Sequence, residues 1–340
     1  MADAAAPKLL SIEMARGLAA IIVVLYHAAR HLDKTMGFPG GKQAFQFGHA
    51  GVDFFFVISG FIILFIHGDD LGRPHRLSHY GLRRFTRIYP IYWVILGVTI
   101  ALMVAGGHAL PPVLDMAWAA TLLPTRDDPM VGVAWTLQHE IIFYGLFAIL
   151  ILQRRIGVVL LTLWFAAIAL NLMTDRSVLA TIITSAYNLE FFFGMAVALW
   201  LRRGTVPFAR ALFWSGLAAF SIAAGAEVLG LLDGYQSWAR LAYGGPSAFI
   251  ILGLVEMEQK RGLRVPKQLL WLGRASYSIY LFHLTGIGLF YKLWSAAGMM
   301  ERAPPWISYG LMVIAGIAGS VVVSLTVEYP LMRWIRRRTA

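Results

Sequence analysis

The 340-residue chain is 59% hydrophobic and only 14% charged, with a mean hydropathy of +0.67, a net charge of +11 and no cysteine. That charge content is too low for an ordinary soluble enzyme, where about 25% of residues are charged, and the apolar content is too high for a disordered chain. The missing cysteine removes disulfides, thiolate nucleophiles and cysteine-rich zinc sites together.

A bilayer core about 30 Å thick takes roughly 20 mostly apolar residues per helix. About ten such stretches follow one another, at 9–30, 50–67, 88–106, 133–152, 156–173, 180–201, 211–232, 238–256, 270–294 and 306–328. They are long and continuous, unlike the short alternating strands of a membrane barrel. The expected fold is therefore an all-α integral membrane protein with about ten transmembrane helices. The first stretch is too long for a signal peptide, carries Arg16 and has no convincing cleavage site. No linker, low-complexity tract or clear repeat breaks the series, so residues 1–340 read as a single transmembrane domain without an appended soluble domain.

Charge sorts the loops. With the N-terminus in the cytoplasm, the cytoplasmic side receives Lys8, Arg16, five arginines within 73–87, Arg154, Arg155, Arg202, Arg203 and Arg210. It also receives five basic residues within 260–274 and Arg333, Arg336, Arg337 and Arg338, which brings it to 21 of the 29 Lys and Arg. Arg30, Lys34, Lys42, Arg126, Arg176, Lys292 and Arg302 fall outside, and Arg240 falls inside the eighth stretch. A three-to-one bias in short loops is the positive-inside pattern. It places both termini in the cytoplasm and makes the basic excess topological, so no nucleic-acid partner is expected.

Charged groups at membrane depth are costly and each is a candidate for function, the alternative being a satisfied pair between helices. Arg16 and His27 share the first stretch, eleven residues and about 16 Å apart along one helix side. Asp53 opens the second stretch within Gly51-Val52-Asp53-Phe54-Phe55-Phe56, where capping a helix N-terminus is the alternative reading. Arg84 and Arg87 precede the third stretch and present two guanidinium forks one turn apart, a geometry suited to phosphates and also to anionic lipid headgroups. His139 and Glu140 lie in the fourth stretch, with Tyr144 one turn beyond, and a carboxylate at that depth needs a partner or a proton. Glu190 stands beside Asn188 in the sixth. Tyr277, Tyr280 and His283 form an i, i+3, i+6 polar stripe on the ninth, as a catalytic feature or a hydrogen-bonded helix seam. Arginines thus gather at the inner face, and His27, Asp53 and Glu140 in the outer half. This points to a polyanionic co-substrate entering from the cytoplasm and chemistry near the outside.

The residues resemble the integral-membrane acyltransferase-3 family, the O-acyltransferases of bacterial cell-surface sugars. Six blocks carry the resemblance in order from about Ser11 to Arg337: Arg16-x10-His27, Gly51-Val52-Asp53 through Gly60, and Arg84-x-x-Arg87 with Ile88-Tyr89-Pro90. The others are Trp135-Thr136-Leu137-x-x-Glu140-x-x-Phe143-Tyr144, Tyr277-Ser278-Ile279-Tyr280-Leu281-x-His283 and Glu328-Tyr329-Pro330. The Trp135–Tyr144 block departs from the family pattern in having Thr136 where Ser is usual. The resemblance implies ten spans in the bacterial inner membrane, acetyl-CoA or another acyl-CoA as co-substrate with no permanently bound cofactor, and a sugar hydroxyl of a polysaccharide or glycolipid as acceptor at the outer face. It implies that His27, Arg84 and Arg87 are needed for activity. Combined with the depths above, His27 is the expected general base, with Asp53 or Glu140 orienting it. Arg16, Arg84 and Arg87 are the expected CoA binders, and Trp135, Tyr144, Tyr277, Tyr280 and His283 serve substrate binding or structure. No metal site is expected. The competing reading is a multi-span transporter of an anionic or sugar-linked substrate, disfavoured by the absence of an evident inverted repeat or of paired broken helices. An intramembrane serine protease would favour Gly-x-Ser-Gly, but Val57 holds the glycine position ahead of Ser59-Gly60. No HExxH pair supports a metalloenzyme.

Overall fold

A computed structural model describes residues 9–124, 128–174 and 182–339. Lys8, Arg126 and Arg176 of the charge distribution, and the first two residues of the 180–201 stretch, lie outside the described residues. Those described form helices joined by short turns, with no strand among them. In chain order they are α1 (Leu10–Met36), α2 (Pro39–Ala44), α3 (Gly51–His67), α4 (Leu77–Ala105), α5 (Val113–Thr121), α6 (Trp135–Leu152) and α7 (Arg154–Thr174). There follow α8 (Leu189–Arg203), α9 (Ala209–Val228), α10 (Ala239–Arg261), α11 (Lys267–Ala296), α12 (Pro305–Val323) and α13 (Tyr329–Thr339).

Each of the ten apolar stretches overlaps one helix among the described residues. Among the described residues, seven helical segments are long and apolar enough to cross a membrane: α1, α3, α4, α6, α7, α9, and α12 continuing into α13. The other three stretches form α8, α10 and α11. The last two carry charges within their length, such as Arg240 and Glu256 on α10 and Arg274 on α11. Helix α8 is only 15 residues long. It starts at Leu189 because the Asn188 amide donates to the Ile182 and Ile183 carbonyls (2.8 and 2.9 Å), which holds the preceding residues in a turn.

The chain divides into two compact units. The first comprises residues up to Ala19, His49–Arg76 and Leu146–Arg274. Its centre is the crossing of α3 and α8, where Gly60 and Gly194 face each other's helices. A Cβ on Gly60 would run into the Phe191 carbonyl, and one on Gly194 into the Val57 carbonyl. Small residues let membrane helices approach to backbone contact, where dispersion and not water exclusion holds them. Phe56 and Phe191 pack beside this crossing with ring centroids 5.0 Å apart. Helix α10 lies along α9, where Phe220 meets Tyr243 at 5.1 Å.

The second unit comprises Ala20–Gly48, Leu77–Gly145 and Ala275–Ala340. Tyrosines tie it together by reaching backbone carbonyls on neighbouring helices. Tyr80 donates to Tyr144 O on α6 (3.1 Å), Tyr277 to Ile88 O on α4 (3.0 Å), Tyr92 to Ala119 O on α5 (2.8 Å) and Tyr309 to Leu25 O on α1 (3.3 Å). A phenol suits this task because its ring fills apolar space and its hydroxyl keeps a partner. Helix α12 ends in a π-helical turn, Ser324–Glu328, which leads into α13.

Candidate functional site

The second unit gathers His27, Arg84, Arg87, Trp135, His139, Glu140, Tyr144, Tyr277, Tyr280 and His283. Helix α11 is the spine. Tyr277, Tyr280 and His283 climb it at i, i+3, i+6, a rise of about 9 Å, and each meets a different helix. At the bottom rung, the Arg87 guanidinium lies over the Tyr277 ring, 4.9 Å from its centroid, while the Tyr277 hydroxyl holds Ile88 O. Arg84 lies over the Tyr144 ring at 5.7 Å. The Arg84 Nε has no hydrogen-bond partner among the described residues. Each guanidinium offers five N–H donors in a fixed fork. Here aromatic faces steady two of them, and donors remain to spare.

Glu328, placed by the π-helical turn, accepts hydrogen bonds from Ser278 (2.6 Å) and Ser324 (3.1 Å), and its other oxygen lies 3.7 Å from Arg87. That is a loose ion pair on an arginine whose side chain is 31% exposed, so it leaves Arg87 with much of its charge to offer.

The middle rung joins α11 to α6. The Tyr280 hydroxyl donates to Thr136 Oγ1 at 2.9 Å. Thr136, Glu140 and Tyr144 recur every four residues and so share one face of α6. Glu140 therefore stands half-buried between the rung at Thr136 and the arginine at Tyr144. Trp135 packs edge-on against His139, centroids 5.7 Å apart.

The top rung is a pair of imidazoles. His283 Nε2 lies 3.1 Å from His27 Nδ1, and the rings sit 4.9 Å apart. His27 Nδ1 also lies 3.0 Å from Val23 O, and His283 Nδ1 lies 2.9 Å from Ile279 O. His283 is fully buried, whereas His27 is half-buried.

Asp53 and Arg16 belong to the first unit. Arg16 is half-buried on α1, which runs unbroken through both Arg16 and His27. Asp53 is fully buried and its carboxylate lies 2.6 Å from Arg240 Nη1. Arg240 also donates to the Gly234 carbonyl and covers the Tyr187 ring at 4.3 Å. Glu190 is equally buried and faces Asp53. A second cluster follows: Glu227 accepts from the Tyr243 hydroxyl (2.5 Å) and lies 2.9 Å from His49 Nε2. In the sequence Arg240 is a charge inside a span with no partner indicated, and nothing singles out Glu227 or Tyr243 as its neighbours. A charge within an apolar run was the available signal for Arg240 and Glu227.

Long apolar helices around a ladder of half-buried arginines, buried tyrosines and paired histidines define a multi-pass membrane protein with an internal polar site. The chain belongs to the acyltransferase-3 family, whose acyltransferase domain matches residues 9–325. It is 31% identical over 330 residues to the exopolysaccharide production protein ExoZ of Rhizobium meliloti (strain 1021), a match covering 93% of this chain and 96% of that protein. No solved structure matches.

Proposed function

We propose that this chain transfers an acyl group, acetyl in the simplest case, from cytoplasmic acyl-CoA to a sugar hydroxyl of an exopolysaccharide or its glycolipid precursor. The acceptor approaches from the outer face of the bacterial inner membrane, with both termini in the cytoplasm. The observation that carries this reading is the ladder on α11, which joins a two-arginine cluster to a two-histidine cluster within one unit. Arg84 and Arg87 supply bidentate donors of the kind that hold the CoA phosphates. The pantetheine arm then follows the tyrosine rungs, and the thioester stops beside His27. The exopolysaccharide acceptor is suggested by the name of the relative from Rhizobium meliloti.

The chemistry is a balanced acyl exchange. The acceptor oxygen attacks the thioester carbonyl as its proton passes to His27, which acts as general base. The C–S bond breaks, and the thiolate takes that proton back from His27 to leave as CoA-SH. The products are the O-acyl ester and free CoA, with no net proton released. Glu140 is the carboxylate of α6, on the face that also carries Thr136 and Tyr144.

Two measurements test the reading. Mass spectrometry of cell-surface glycans with and without the gene should show one acyl mass lost from one glycan. Titration of the purified protein with acetyl-CoA should show saturable binding. A protein that binds no acyl-CoA and leaves the glycans unchanged would be better read as a transporter.

A further inference from the structure

We propose that His283 is the positioning residue for His27, fixing it in the tautomer that carries hydrogen at Nδ1 and a lone pair at Nε2. The proposal rests on the acyl-transfer reading and deepens it by assigning the group that orients the base.

The argument follows from what each atom is able to do. A carbonyl oxygen accepts hydrogen bonds and never donates, and a neutral imidazole has one N–H and one lone pair. His283 Nδ1 sits 2.9 Å from the Ile279 carbonyl, one turn back on α11, so that nitrogen bears the hydrogen. In the neutral ring, His283 Nε2 is then an acceptor. It faces His27 Nδ1 at 3.1 Å. His27 Nδ1 in turn sits 3.0 Å from the Val23 carbonyl, so it too bears its hydrogen. One N–H of His27 thus points between two acceptors, Val23 O and His283 Nε2, and the neutral His27 ring keeps its lone pair at Nε2.

The opposite tautomer of His283 fails on both sides. Its Nδ1 lone pair would face the lone pairs of Ile279 O, and its Nε2 hydrogen would face the hydrogen on His27 Nδ1. The ring has no room to swing away, because His283 is 0% exposed and Tyr280, one turn below, is tied to Thr136. Each imidazole therefore enforces the hydrogen placement of the other.

An imidazole in this place does what a carboxylate does in other base–orienter pairs, without a second buried charge. When His27 takes the hydroxyl proton at Nε2, its Nδ1–H becomes a charge-assisted donor to His283 Nε2, and such bonds are roughly twice as strong as neutral ones. The stabilisation appears as positive charge develops on His27 and disappears when the proton passes on to the thiolate. It is an interaction stronger in the transition state than in the ground state, the kind that raises kcat and leaves KM alone.

The test uses the full chain in lipid nanodiscs with nitrogen-15-labelled histidine, the His27 signals being assigned by their loss in His27→Gln. Wild-type His27 should show one neutral tautomer, with hydrogen at Nδ1. His283→Phe keeps a ring and deletes the acceptor. It should give mixed His27 tautomers and a kcat lower by roughly tenfold to a hundredfold, with KM for acetyl-CoA unchanged. His283→Gln, which restores a side-chain acceptor, should recover most of both. If the Phe variant does not fold, His283→Met against His283→Gln makes the same comparison at nearly equal volume. A wild-type His27 with hydrogen at Nε2, or equal kcat for variants with and without an acceptor, overturns the proposal. The tautomer is read without turnover, so a wild-type protein with the expected tautomer but no acyl transfer would count against the acyl-transfer reading alone.

Discussion

Asp53 or Glu140 is the carboxylate expected to orient His27; the Asp53 carboxylate lies 2.6 Å from Arg240 in the first unit, and a charge-removal experiment separates an orienting role from a counter-ion role. Consider Arg240→Met. At an effective dielectric constant near 20, unit charges at that separation attract by about 6 kcal/mol. Taking both ions out of water costs several kcal/mol each, so the pair's net contribution to stability is small. Removing one partner is different, because it leaves the other charge buried without compensation, at about 3–5 kcal/mol. Here the penalty falls on Asp53, which is 0% exposed. The Gly234 carbonyl and the Tyr187 ring also lose their cation. Arg240→Met should therefore lower the melting midpoint in detergent by on the order of 10 °C. Adding Asp53→Asn removes the orphaned charge and should recover at least half of that loss, since replacing a buried pair by neutral groups is often neutral. Acyl transfer per folded molecule decides the function of Asp53. If the double variant regains transfer along with stability, Asp53 is the counter-ion of Arg240. A stable double variant without transfer would refute that structural assignment. A single Arg240→Met variant that melts with the wild type would refute the energetic reasoning.

What was legible in the sequence is what depends on one helix at a time. The α11 ladder follows from spacing alone, because residues at i, i+3 and i+6 slant along one side of any helix. The arginine pair is likewise a local pattern. Azimuth between helices is not local. Asp53 and Arg240 are 187 positions apart in the chain, and each read singly gives only a depth, so their ion pair is not legible in the sequence. The same holds for His49 and Glu227. Helix ends depart from the apolar runs for identifiable reasons. Helix α1 continues six residues past the apolar stretch to Met36, with Thr35 bonding back to His31 O, and stops where Gly37 takes φ +78°. The units are hidden in the sequence because three of their five boundaries fall inside α1, α6 and α11, within continuous helices.

Four further outcomes are expected. Arg84→Ala with Arg87→Ala should weaken acetyl-CoA binding at least tenfold in a titration while the melting midpoint stays near wild type; unchanged affinity would remove the phosphate assignment. His27→Ala should abolish transfer to the sugar and keep acetyl-CoA affinity within about threefold, since a general base contributes roughly a hundredfold to ten-thousandfold to rate and little to donor binding. Gly60→Val should fail to yield folded protein by size-exclusion chromatography, because its Cβ meets the Phe191 backbone and no flexible side chain is there to move; a monodisperse wild-type-like peak would show that the α3–α8 crossing tolerates separation. The remaining outcome concerns Glu328, whose carboxylate competes with any phosphate for Arg87. Its contact at 3.7 Å to a 31%-exposed side chain is screened, so it contributes about 0.2–1 kcal/mol. Glu328→Gln keeps an acceptor for Ser278 and Ser324 and deletes the charge. Acetyl-CoA should then bind more tightly, by up to about fivefold, the direction opposite to that of an ordinary loss of contact. Tenfold weaker binding would mean that Glu328 holds Arg87 in place for the phosphate and does not compete with it.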